Sequence, residues 1–291
     1  MAMGKPRAVL VAFALLVVLD RGLVRANFYD ECDVTWGPQN TAIWGNGENL
    51  ALSLDSDHIG SAIRTTKQFL FGSVEMEIQL VPDNSAGTVA AYYTSSLGDY
   101  HDEIDYEFLG NETGQPYTIH TNVFGKGQGN KEVQFKPWFD PTEDYHNYTI
   151  FWSPTEIVWF IDQIPIRVYR NYESAGAPFP TNQPMRMYSS IWNADDWACQ
   201  GGRVKTDWSK APFVAKYRNL KLDVCECESA DSISQCYSSS NWYNGWQYSK
   251  LTAAQLGQMN WVQQNYKIYD YCTDYKRFNG QMPVECSLPQ Y

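Results

Sequence analysis

Positive charge is scarce in this chain: 22 Lys and Arg face 33 Asp and Glu over 291 residues, a formal net charge of −11. Binding to nucleic acid needs clustered cations, so no nucleic-acid partner is expected. Histidine is scarcer still, with four in all. The Cys225-Glu226-Cys227 run has no His following nearby, so neither a metal site nor a cofactor is expected. Internal repeats and low-complexity linkers are missing. So is any apolar run long enough to cross a membrane, about 18 residues or more. Ala8 to Leu19 falls short of that length, follows Lys5 and Arg7, and leads to Val24-Arg25-Ala26. Residues 1–26 therefore read as a secretory signal peptide, and the expected product is secreted, with no membrane partner. Losing that segment removes a net +3 and leaves −14, which suits an uncharged substrate better than an acidic one.

Aromatic residues and cysteines are plentiful by contrast. Eleven Trp and 20 Tyr crowd into segments such as Trp192 to Trp197 and Trp242 to Trp246; most should fill a core, and a minority can offer flat platforms to sugar rings. Seven cysteines in a secreted chain imply disulfides with at least one thiol left over, and five of them follow residue 224. Cys272 and Cys286 flank a loop containing Gly280 and Pro283, while Cys236 has either Cys225 or Cys227 as a partner. Cys32 and Cys199 either pair with each other or leave one thiol buried and free. The chain thus divides into residues 27–224, an all-β region, and residues 225–291, a disulfide-stapled extension.

From Asn27 to Val224 short strands alternate with turn residues, the pattern of a β-sandwich. Val74, Met76, Ile78 and Leu80 alternate with Glu75, Glu77 and Gln79, and Ile157 to Ile161 and Ile166 to Tyr169 flank a turn at residues 162–165, a hairpin. The one helix begins late. Thr252 to Gln255 forms a capping box, and Leu256, Met259, Val262, Tyr266 and Tyr269 recur at helical spacing.

The chemistry concentrates on one predicted strand, His101 to Gly110. Alternation sends Glu103, Asp105 and Glu107 to one face and Ile104, Tyr106 and Phe108 to the other. A solvated sheet face would also alternate this way. Asp and Glu are poor strand formers, however, and like charges at successive same-face positions repel with no Lys or Arg between them. In a cleft, that repulsion and burial raise at least one carboxyl pKa, leaving an acid beside an ionised partner. Glycoside hydrolysis requires that division. Four residues of strand separate the Glu103 and Glu107 α-carbons by about 13 Å, and inward-leaning side chains bring the carboxyls toward the roughly 5 to 5.5 Å of retaining enzymes. Asp105, between them, is placed to hydrogen-bond either. Two glycosylation sequons begin at Asn111, directly after this strand, and at Asn147, inside a predicted strand where occupancy is less expected.

These residues, with Ile119 to Asn122, Trp138 to Pro141, Pro165 to Val168, Trp192 to Ala198, Lys205 to Trp208 and Tyr271 to Asp274, resemble the plant xyloglucan endotransglucosylase/hydrolases of glycoside hydrolase family 16. The likeness runs from about Phe28 to Cys286. It implies a concave, lectin-like jelly-roll β-sandwich with a C-terminal extension, secreted to the cell wall and apoplast and expected to act as a monomer. Its partners would be a xyloglucan donor, cut in its β-1,4-glucan backbone, and a xyloglucan or oligosaccharide acceptor. Position by position, Glu103 would be the nucleophile, Asp105 its helper and Glu107 the acid/base. Sugar contacts would fall on His120, Thr121 and Asn122; on Asn130, Lys131 and Glu132; on Trp192, Asp196, Trp197 and Gly202; and on Tyr269 and Arg277. Four of them also have a plainer reading: His120 as a structural histidine, Trp192 as core, Tyr269 as helix packing, Arg277 as a surface ion pair with Asp274. Tyr106 stands where the family usually has Phe, so its hydroxyl needs a partner. Lys131 replaces a usual Arg and loses its two-pronged fork. The stretch Ser189 to Phe213 carries no insertion of the kind found in mainly hydrolytic relatives, which favours transfer over hydrolysis. A silent lectin-like wall binder is the alternative outside catalysis.

Overall fold

The computed structural model describes residues 27–228 and 232–291; the signal-peptide expectation for residues 1–26 lies outside the described residues. Two antiparallel sheets face each other across one core. The eight-stranded sheet runs β1 (Cys32–Trp36), β4 (Ser61–Thr65), β13 (Arg186–Asn193), β6 (Thr88–Ser95), β7 (Glu103–Leu109), β8 (Thr118–Phe124), β9 (Val133–Phe135) and β15 (Lys267–Asp270). The seven-stranded sheet runs β12 (Ile164–Arg170), β11 (Glu156–Ile161), β10 (His146–Trp152), β5 (Phe69–Gln79), β14 (Phe213–Glu226), β3 (Asn49–Leu54) and β2 (Thr41–Trp44).

The patterns that mark these strands also build the core. In β5 the alternating Val74, Met76 and Ile78 are buried while Glu75, Glu77 and Gln79 stay half-exposed. From β7, Ile104, Tyr106 and Phe108 turn inward, and Tyr148 of β10 meets the Tyr106 and Phe108 rings edge-on at 5.6 and 4.7 Å. Each such buried side chain contributes about 2 to 3 kcal/mol. The hairpin of β11 and β12 closes through Asp162 and Gln163, both at positive φ, as a two-residue turn that follows the strand twist requires.

The extension is more irregular. The helix α1 (Ala253–Asn265) starts with the expected reciprocal capping of Thr252 and Gln255 and buries Met259 and Val262, packing on β12. It ends earlier than its spacing suggests. Tyr269 lies in β15, which pairs with β9 along Lys267–Phe135 and Tyr269–Gln134; the open hydrogen-bonding edge of β9 captures the Lys-Ile-Tyr-Asp segment, so the helix-packing reading of Tyr269 is overturned. Cys236 pairs with Cys225, and Cys272 with Cys286. Cys32 and Cys199 do not bridge. Cys199 is buried and hydrogen-bonds through its thiol to the Asn111 side chain at 3.4 Å, while burial and the neighbouring Glu31 and Asp33 push the Cys32 thiol up to about 12.

Candidate active site

Strand β7 lies near the middle of the eight-stranded sheet, paired on both sides. Opposite Glu103, Asp105 and Glu107 stand Ser95, Tyr93 and Ala91 of β6 and Phe124, Asn122 and His120 of β8. Ala91, Tyr93, Asn122 and Phe124 join the three acids in lining a depression of about 360 Å³, with Ser190 and Trp192 of β13. From below, the Trp159 indole donates to the Asp105 carbonyl at 3.0 Å, and the Tyr106 hydroxyl donates to the Phe160 carbonyl at 2.8 Å. Tyr106 thereby finds the partner its hydroxyl demands, and both bonds tie the acidic strand to β11 of the opposite sheet. The backbone carrying the three acids is thus held by the core.

Their electrostatics differ although their spacing is regular. Burial, with the charges of Glu103 and Glu132, raises Glu107 to about 7. Burial and both flanking glutamates push Asp105 well above the ordinary carboxylate range, against a weak pull from the Arg167 cation. Burial also raises Glu103, but hydrogen bonds from Ser95 and Asp105 and the nearby His101 pull it back. The proton shared between Asp105 and Glu103 therefore belongs on Asp105, leaving Glu103 as the ionised acceptor. One strand so presents an ionised carboxylate, a proton-bearing helper and an acid poised at neutral pH.

His120 sits beside Glu107 with its Nε2 3.8 Å from Oε2. Gln134 donates to its Nδ1 at 3.2 Å, which leaves the ring proton on Nε2, facing Glu107. Burial lowers the imidazole to about 4, so it is neutral. Asn122 faces the same depression. Thr121, between them, does not: it is fully buried, and its hydroxyl accepts from Arg167 and donates to the Val133 carbonyl. Strand alternation puts it on the core side, so a sugar contact through that side chain is corrected. Lys131 is corrected likewise. Only 4% exposed, it donates to the Gln128 and Gly129 carbonyls and lies 4.0 Å from buried Glu285; its charge is spent inside, away from the groove.

The remaining residues from that region converge with the extension. Arg277 grips the Glu132 carboxylate with two nitrogens at 2.5 and 2.9 Å, donates to Asn130 Oδ1 at 2.7 Å and to the Tyr269 hydroxyl at 3.1 Å. The clamp holds Glu132 below its ordinary range. The Asp274 carboxylate receives the Arg277 backbone N–H and the Tyr269 hydroxyl, while the Arg277 guanidinium goes to Glu132, so the simple surface pair of Arg277 with Asp274 does not form. At the other margin Trp192 lines the depression and Trp197 stands partly exposed, their rings 6.1 Å apart. Gly202, at φ +82°, lies so close to the Asp196 carbonyl that any Cβ would fall 2.0 Å from it; its part is to seat the Asp196 backbone. Asn111 accepts from Glu112 N–H and donates to the Pro116 carbonyl. Asn147 lies within β10, its amide 3.4 Å from Glu75.

Ser95, Tyr93 and Gln134 carry parts of the site that the sequence did not disclose. Their signal is cross-strand register, which links β6, β8 and β9 to β7 only once the pairing is known.

The sequence matches the family model described as glycosyl hydrolases family 16 over residues 28–210, and the one described as the xyloglucan endo-transglycosylase C-terminus over residues 237–286. Among curated proteins it is 52% identical over 260 residues to xyloglucan endotransglucosylase protein 1 of Diospyros kaki, covering 89% of this chain and 88% of that protein. It is 50% identical to the probable xyloglucan endotransglucosylase/hydrolase protein 12 of Arabidopsis thaliana, covering 99% of each. Among solved structures, the apo Crh5 transglycosylase superposes with a TM-score of 0.57 at 25% identity, over 79% of this chain and 91% of that one.

Proposed function

The chain belongs to glycosyl hydrolases family 16, and from that premise we propose that it is a xyloglucan endotransglucosylase working outside the cell, in the plant cell wall, by retention. Glu103 forms a bond to the anomeric carbon of a backbone glucose as the glycosidic C–O bond breaks, and Glu107 gives its proton to the departing oxygen. In the second half, Glu107 takes the proton of an incoming hydroxyl, whose oxygen displaces Glu103. Asp105 acts through Glu103, by the hydrogen bond that keeps the nucleophile ionised. His120 and Asn122 face the bound sugar, and Trp192 and Trp197 flank it. Tyr269 and the Arg277 clamp with Asn130 and Glu132 sit at the edge where an acceptor chain docks.

A chain held along that edge outcompetes water because a positioned nucleophile acts at a very high effective concentration. Transfer then exceeds hydrolysis. The observation that carries the reading is the split among three same-face carboxyls, with Glu107 poised at about 7 beside a hydrogen-bonded Glu103. A silent sugar binder has no use for that split. The test offers xyloglucan together with a labelled xyloglucan oligosaccharide. Label entering polymer without matching new reducing ends is expected; new ends formed at the same rate with no acceptor present would make the protein a hydrolase instead.

A further inference from the structure

Resting on that reading, we propose that Trp36, at the edge strand β1, is a stacking platform for a glucan unit remote from the cleaved bond, extending the substrate groove across the whole sheet. The cross-strand register carries the argument. Starting at Glu107, the same-face partners on successive strands are Ala91 on β6, Ser190 on β13, Ala62 on β4 and Trp36 on β1. Three small side chains thus form a low floor between the acid and the indole. The adjoining row is taller: the Tyr93 and Tyr188 rings stack there at 5.1 Å, with Arg64 beyond them paired to Asp33 at 3.4 Å. A trough floored by small residues, walled by tyrosines and ended by an aromatic ring suits a flat polysaccharide lying across the strands.

The indole is placed there by backbone. The register slips between Val34 and Trp36, so the extra residue of this bulge is absorbed and Trp36 aligns with Ala62. Its ring lies over Gly60, where any Cβ would come within 2.8 Å of it. Ser61 turns inward to bond Ser53 of the opposite sheet, which puts Gly60 and Ala62 on the groove side. The next residue, Gly37, sits at φ +57° with its Cα so near the Gly60 carbonyl that no side chain fits. The β1 end is therefore clamped onto β4, yet Trp36 stays 43% exposed. An exposed indole offers a flat apolar face to a sugar ring.

From β7 to β1 there are four strand spacings, about 19 Å, well beyond the depression that holds the carboxyls. Length dependence follows. In the full-length enzyme, Trp36→Ala is expected to lower kcat/KM on xyloglucan polymer about tenfold, and on a short xyloglucan oligosaccharide confined to the depression less than twofold. Trp36→Phe is expected to keep most of the polymer rate. An equal loss on both substrates would mean that Trp36 only holds β1 in place, and no loss on either would mean that no sugar reaches it; each overturns the proposal. A wild type that turns over neither substrate removes the functional reading itself and this proposal with it.

Discussion

The two glutamates of β7 and the Glu132–Arg277 clamp are both acidic sites on one sheet, but they are held in opposite ways. The catalytic strand is held from beneath: Trp159 and Tyr106 bond it to the opposite sheet inside the core, where water does not compete. The clamp is held from the side, by a partly exposed ion pair reaching across from the extension, where salt and solvent weaken it. The acidic strand is thereby fixed by packing, and the clamp by charge. Perturbations should separate the two.

The sharpest break is Glu103→Ala. Turnover is expected to fall by about 10⁴-fold or more, as when other nucleophiles are removed, while xyloglucan retention in affinity electrophoresis persists; lost retention would mean that the acid strand binds as well as reacts. Next comes the pair Cys272→Ala with Cys286→Ala, whose bond joins residues 14 apart in sequence and closes the loop that carries Arg277. Its removal is expected to cost about 3 kcal/mol and to impair acceptor use more than donor cleavage. Equal impairment of both would show that the extension supports the catalytic strand too.

Glu107→Gln tests the central site by pH. A carboxyl raised from its ordinary value to about 7 holds its proton more tightly when folded. Its destabilising share is absent below about pH 4.5, grows as pH rises, and is complete above about 7. Replacement by Gln is therefore expected to stabilise the fold by about 2 kcal/mol at pH 8 and by almost nothing at pH 4, read from melting curves. The same group sets the activity profile: donor cleavage should decline as pH climbs through about 7, where the acid is lost, and an unshifted limb in the variant's residual activity would assign that limb elsewhere. Arg277→Ala is the smallest expected effect, raising acceptor KM by about five- to tenfold, more so at low salt, with donor hydrolysis unchanged. Its salt dependence is the readout that distinguishes charge from packing.

What sequence could disclose follows the same division. Alternation in Glu103 to Phe108 settles which face carries the acids, because a half-buried strand leaves a period of two. The β11–β12 hairpin and the Thr252 cap were equally legible, each being a local device. Thr121 departs from its neighbours because adjacent residues of a strand cannot share a face, and Lys131, ahead of β9, because its ammonium turns in to the Gln128 and Gly129 carbonyls. Tyr269 misled for another reason: its spacing fits a helix, and only the unpaired edge of β9, far away in sequence, makes it a strand residue. The choice of Cys225 over Cys227 likewise depends on where β14 ends, which spacing does not encode. Register across strands hid Ser95, Tyr93 and Gln134 altogether.

The placement of β15 has a consequence for how this molecule is made. The strand at that edge of the sheet is followed closely by Cys272, which is bonded to Cys286. Reducing that bond frees the segment that carries Arg277, while the bonds from Trp159 and Tyr106 beneath the acids stay in place. Oxidation is thus a finishing step for the rim and not for the acids.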